Sequence, residues 1–135
     1  MNWGAFKSYF WVALGSMLGG MSRFFVSNFV TQRQSGTFPW GIMIINISGS
    51  FVIGVLAALT QTAGKLTTSR IFVVQLFMVG ICGGYTTFSS FSLETLKLLR
   101  DKQWLWAGGN VALSVVACMV AVWAGFMLGE IINRL

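Results

Sequence analysis

Four stretches of this 135-residue chain, residues 8–22, 34–64, 71–93 and 103–129, contain no Asp, Glu, Lys or Arg. Runs of this length constrain the fold more than any single motif, because a hydrocarbon core of ~30 Å takes about 20 helical residues to cross. Charged residues make up 9% of the chain, against roughly 25% in an average soluble domain. The sequence therefore predicts an all-α integral membrane protein with four transmembrane helices, over residues 8–31, 39–62, 70–98 and 104–130. The connections are short, so residues 1–135 are expected to form one polytopic domain with no separate soluble unit.

The first apolar run is too long for the core of a secretory signal peptide, and no small-x-small cleavage site follows it before Arg23. It is expected to be retained. Cys82 and Cys118 fall inside predicted spans, a pattern of neither a disulfide framework nor a cysteine-based metal site. The chain has no His, which excludes imidazole catalysis and imidazole metal ligation. Its net charge of +6 does not point to nucleic acid, because the basic residues sit at helix ends, where membrane proteins usually place them. Trp3, Trp11, Trp40, Trp104 and Trp106 flank the predicted helices and suit the headgroup layer. Pro39 opens the second helix, where its missing N–H is harmless. Small residues four apart recur at Gly15 and Gly19, Ser50 and Gly54, Gly80 and Gly84, and Gly125 and Gly129, a spacing that lets helix backbones approach closely in lipid.

The charge distribution adds a prediction about orientation. Four crossings place Lys7, Lys65, Arg70 and Arg134 on one side, and Arg33, Lys97, Arg100 and Lys102 on the other. Orientation follows Lys/Arg excess on the cytoplasmic side, and here the two sides balance, with Arg23 left out as lying inside a helix. The expectation is insertion both ways round and an antiparallel, dual-topology homodimer.

A straight helix over residues 70–98 would be ~43 Å long at 1.5 Å per residue, so this span must tilt, protrude or break. Gly83-Gly84 is the expected weak point, with the β-branched pair Thr86-Thr87 close behind. A break at membrane depth exposes carbonyls that suit a cation and helix N-termini that suit an anion. Beyond it, a 100° step per residue puts Phe88, Phe91, Ser92 and Thr95 on one stripe, with Ser89 at its edge. Aromatic rings have electropositive edges, so an anion can meet ring C–H groups and hydroxyl donors there without Lys or Arg, and weak binding permits exit. Asn46 and Ser50 share one face of the second helix, as Asn110 and Ser114 share one of the fourth. Together they suggest a polar track. Arg23, ~12 Å from the end of its helix, is placed at an aqueous entrance, and Glu94 is available to pair with it or with another base.

The segment GGYTTFSSFSLET (83–95) resembles the signature of the Fluc, or CrcB, family of fluoride channels. GGMSRF (19–24), INISGSF (45–51) and NVALS (110–114) fall in the matching helices, and the likeness runs over essentially the whole chain. The resemblance implies two antiparallel four-helix subunits in the bacterial inner membrane, with two fluoride pathways at their interface. It implies a central Na⁺ held by backbone carbonyls, here those of Gly83 and Thr86. Phe88 and Phe91 would line the pathways, with Asn46, Ser89 and Ser92 alongside and Asn110 and Ser114 on the fourth-helix track. Some relatives have Tyr in place of Asn110 and a hydroxyl in place of Cys118. The implied role is passive export of cytoplasmic fluoride, with no enzymatic step, and the sequence has no Gly-rich phosphate loop ending in Lys-Ser/Thr.

The main alternative is a small four-helix, proton-coupled multidrug or cation exporter. That chemistry calls for a carboxylate inside the membrane, whereas Glu94 and Glu130 lie near predicted helix ends and Asp101 in a connection. A purely structural subunit would leave the hydroxyl-rich break unused.

Overall fold

The computed structural model describes residues 3–34, 36–61, 64–66 and 70–135, the first three of them as backbone alone. Among them every regular element is helical. Helix α1 spans Trp3–Thr31 and α2 spans Trp40–Leu59. The third span, Arg70–Arg100, is composite. It begins as α3 (Arg70–Val73), widens into a π-helical segment (Val74–Cys82), tightens into α4 (Gly83–Tyr85) and restarts as α5 (Phe88–Arg100). Helix α6 runs over Trp104–Arg134. The spans agree with the sequence prediction to within a few residues, except that α1 begins at Trp3; residue 62, the expected end of the second span, lies outside the described residues.

Trp40–Leu59, Arg70–Arg100 and Trp104–Arg134 are each long and apolar enough to cross a membrane. Helix α1 has the length, 29 residues, but Lys7, Arg23, four serines and four glycines dilute its apolar content.

The packing inverts the pattern of a water-soluble protein. Large apolar side chains point outward: Tyr9, Phe24, Phe88, Leu105, Met119 and Trp123 are all exposed. Beside Ile45, Leu98, Met43, Val73 and Phe38, the interior is rich in small residues, among them Gly19, Gly49, Gly54, Gly80, Gly125, Gly129, Ala58, Ala107 and Ala121, which are all buried. Lipid tails are as apolar as Leu, so burying Leu gains little, and close backbone approach supplies the cohesion. Helix α1 lies against the π segment and α4, while α2 lies along α6. A Cβ on Gly15 would stand 2.8 Å from the Gly80 Cα. One on Gly54 would strike the Val122 carbonyl, and one on Gly125 the Phe51 carbonyl. The four small-residue pairs read from the sequence therefore supply contact points between helices.

The third span corrects one expectation. Gly83 is helical, with φ −65° and ψ −37°, and α4 runs through Gly84. The chain breaks at Thr86 (φ −76°, ψ 158°) and Thr87 (φ −154°, ψ 115°). Both residues are β-branched and accept extended dihedrals readily. Gly84 matters for its size instead. A Cβ there would come within 2.7 Å of the Ser16 carbonyl, so only a residue without one lets α1 and α4 touch.

Two polar devices close the ends of the bundle. The Asn133 amide donates to the Ala58 carbonyl at 3.0 Å and accepts the Lys65 N–H at 3.0 Å, pinning the end of α2 to the end of α6. Helix α5 ends in a Schellman turn: the Gln103 N–H reaches the Leu98 carbonyl at 2.8 Å and the Lys102 N–H the Leu99 carbonyl at 3.1 Å. Lys102 takes the left-handed position with φ 59°, where glycine is the usual residue.

The packing sets an expected mutational contrast. Gly125→Leu should lower stability by ~3 kcal/mol or more through overpacking against the α2 backbone. Gly108 has open space around its missing Cβ, so Gly108→Ala should be neutral or stabilise by ~0.5–1 kcal/mol. Thermal unfolding in detergent measures both, and equal behaviour of the two variants would contradict the tight α2–α6 contact.

Candidate functional site

The break is held from outside its own helix. Asn46, on α2, accepts the Thr87 N–H on Oδ1 at 2.8 Å and donates from Nδ2 to the Thr87 carbonyl at 3.2 Å. One amide side chain thus satisfies both backbone groups of a buried residue, as a neighbouring strand would. Without it, each stranded group would cost about 1–3 kcal/mol. Thr87 also caps the restarting helix, since its Oγ1 accepts the Ser90 N–H at 3.1 Å.

Two helix ends therefore meet at one point. The carboxyl end of α4 presents carbonyls, and the amino end of α5 presents N–H groups and the positive end of a helix dipole. The Thr87 N–H is spent on Asn46, so the Gly83 carbonyl lacks the partner that a continuous helix would supply four residues on. The Thr86 carbonyl lies in the extended stretch, where Arg23 Nη1 donates to it at 3.4 Å.

Beside the break lies an open groove of about 340 Å³. It brings together six residues singled out from the sequence: Asn46, Gly83, Thr86, Phe88, Phe91 and Ser114. The Phe88 and Phe91 rings have centroids 5.4 Å apart and planes inclined at 44°. Phe88 is 79% exposed, so apart from its contact with Phe91 the ring is left open. The groove also has Thr87, Ser50, Cys82 and Cys118 in its wall.

The other sequence-predicted residues stand off this wall. Ser89 shares a hydrogen bond of 3.1 Å with the Thr87 hydroxyl. Ser92 donates to the Phe88 carbonyl at 2.9 Å, and Thr95 to the Phe91 carbonyl at 2.8 Å. These protons are turned back onto their own helix. Asn110 is 1% exposed and joins α6 to α5 by donating to Thr95 Oγ1 at 2.8 Å. Ser114 Oγ points to Asn110 Oδ1 at 3.4 Å, a long contact for an O–H donor. Glu94 pairs with Lys97 at 2.7 Å and borders a second cavity of about 230 Å³ with Ser27, Thr31 and Thr37. The carboxylate thus takes the other base left open in the sequence reading, while Arg23 turns to the break.

Thr87 is the residue that sequence reasoning undervalued. It stood out only as a β-branched breaker, although a Thr placed just before an amphipathic run is also an N-cap signal. Its pairing with Asn46 crosses 41 residues and leaves no local trace.

The donor set suits a hard monovalent cation. The Gly83 carbonyl and the Thr86 carbonyl, the latter shared with Arg23 Nη1 at 3.4 Å, are neutral oxygens, and no cluster of three or more His, Cys, Asp or Glu occurs among the described residues. The Gly84 and Tyr85 carbonyls also stand at the end of α4 without the donors a continuous helix would give them.

Residues 10–126 match the family described as CrcB-like protein, Camphor Resistance (CrcB). The chain is 49% identical over 130 residues to the fluoride-specific ion channel FluC of Methylocella silvestris, with 94% of this chain and 96% of the relative covered. It is 50% identical over 131 residues to that of Paramagnetospirillum magneticum, with 94% and 98% covered. It is 49% identical over 130 residues to that of Opitutus terrae, with 94% and 96% covered. With nearly full-length similarity to these relatives and a family match over most of its residues, the chain belongs to the CrcB family.

Proposed function

We propose that this protein is a fluoride channel that lets cytoplasmic fluoride leave the cell passively. The observation that carries the reading is the break at Thr86-Thr87, which opens beside Phe88 and Phe91 in a groove free of charged side chains. The relatives' shared name supplies fluoride as the anion. The chain is a multi-pass membrane protein and not an enzyme.

In this reading an anion enters near Arg23 and passes the Phe88 and Phe91 ring edges, whose C–H groups carry partial positive charge. The amino end of α5 adds favourable potential at the same point. Ser50 and Ser114 supply hydroxyls in the groove wall, and the bond from Ser114 to Asn110 is long. Asn46 keeps one amide hydrogen beyond the one given to Thr87. Ser89, Ser92 and Asn110 stand behind the wall and are tied to Thr87, Phe88 and Ser114. With no fixed cation on the groove wall, the anion is held weakly enough to leave. Hydrogen fluoride enters neutral and dissociates inside; the trapped anion then gains ~2.3 kcal/mol per 100 mV on moving outward from a negative interior.

Helix α1 forms the fourth crossing, with Arg23 directed to the break instead of to lipid. The balance of basic residues between the two sides supports insertion in both orientations. An antiparallel partner would cover the exposed Phe88 and double the carbonyls at the break. Na⁺ bound by the Gly83 and Thr86 carbonyls would fix the two subunits at their centre. The setting is the bacterial inner membrane. The carboxylates give no support to proton-coupled export: Glu94 is paired with Lys97 near the end of the third span, Asp101 is exposed at its end, and Glu130 stands about one turn from the end of α6.

Phe88→Ile and Phe91→Ile should each slow fluoride efflux from liposomes by roughly tenfold or more, about 1.4 kcal/mol in barrier, with the dimer intact by size exclusion. Wild-type efflux in both variants would overturn the aromatic lining. For topology, single cysteines at Gly36 and Lys102, in a background freed of Cys82 and Cys118, should be labelled from both faces of the membrane. Labelling from one face alone would refute dual insertion.

A further inference from the structure

Asn46 invites the reading of a pathway ligand, because it lies in the groove wall with the two phenylalanines. Its hydrogen bonds give it another role. Oδ1 accepts the Thr87 N–H at 2.8 Å, the shorter of its two bonds to that residue. In an unbroken helix that N–H would go to the Gly83 carbonyl. The preceding donor behaves as a helix requires, since the Thr86 N–H reaches the Cys82 carbonyl at 2.9 Å. The ladder therefore fails at the residue Asn46 grips, and the first carbonyl to lose its partner is that of Gly83.

We propose that Asn46 is a positioning residue for the cation site: by holding the Thr87 N–H it withholds that donor from the Gly83 carbonyl and leaves the oxygen free for Na⁺. The proposal rests on the reading of the break as a Na⁺ site given above. It gives the α2 amide a second role: one amide hydrogen stays available to the anion, while Oδ1 serves the cation through the backbone at the break. The cap supports the assignment. Thr87 Oγ1 already holds the Ser90 N–H at 3.1 Å, so the restart of the helix does not need Asn46. What Asn46 alone supplies is a substitute partner for the Thr87 backbone.

The test titrates Na⁺ against N-methylglucamine and follows thermal unfolding of the purified protein in detergent, a readout independent of flux. Wild-type protein should be stabilised saturably by Na⁺. Asn46→Leu removes the acceptor and lets the Thr87 N–H return to Gly83, so the half-stabilising Na⁺ concentration should rise by roughly tenfold or more. Asn46→Asp keeps the acceptor, and its half-stabilising concentration should match or fall below that of wild type. If Asn46 serves only the anion, both variants keep the wild-type Na⁺ response, and the proposal fails. A wild type indifferent to Na⁺ also overturns it. Should the Leu variant not fold, Asn46→Asp carries the test, since a roughly tenfold rise there would show that the acceptor is not what matters. Fluoride efflux from liposomes of the same wild-type preparation keeps the two readings apart. Loss of efflux with the Na⁺ pattern intact counts against the channel, and efflux with an unchanged Asn46→Leu titration counts against this role alone.

Discussion

One side-chain amide pairs with one residue's backbone, and the functional part of the structure depends on that pairing. The two bonds from Asn46 to Thr87 let the third span stop being a helix where water is scarce. Backbone polar groups in a membrane must be satisfied within the protein, so a break needs a substitute for the lost ladder. Asn is suited to this because its amide carries both a donor and an acceptor at fixed spacing. With the break in place, a carbonyl-rich helix end and an N–H-rich helix end face the same groove, and Phe88 and Phe91 follow at the start of α5.

The glycines make this arrangement rigid at low cost in space. Gly15 against Gly80 and Gly84 against Ser16 press α1 onto the first half of the third span. Gly54 and Gly125 lock α2 to α6. Asn46 is carried on α2, so the α2–α6 contact also fixes the amide that grips the break. The π-helical segment Val74–Cys82 lies immediately before α4. Its wider turns are rare in proteins and concentrate near functional sites, and here they end at the groove.

The spans were legible because charge is so costly in hydrocarbon that its absence over residues 71–93 or 103–129 has few other meanings. The small-residue pairs were legible for a related reason, since close approach is what holds helices together in lipid. The site was half legible. Phe88, Phe91 and the hydroxyls stood out against an apolar background, but their hydrogen-bond directions did not. Ser92 and Thr95 give their protons to their own helix, and a residue type does not reveal that choice. The break was expected at Gly83-Gly84 from propensity and lies at Thr86-Thr87. Propensity could not register that Gly84 was needed for contact with Ser16 or that Asn46 waited across the groove for Thr87. Glu94 was read without its partner, which is the i+3 neighbour Lys97.

The central claim is that the groove conducts fluoride selectively and without an energy source. It is tested most directly with the purified wild-type protein in liposomes loaded with equal fluoride and chloride, a potassium ionophore relieving charge build-up. A fluoride electrode and a chloride electrode read the two effluxes together. The account predicts rapid fluoride release while chloride stays inside. Release of both anions at similar rates, or of neither from a folded protein, would contradict it.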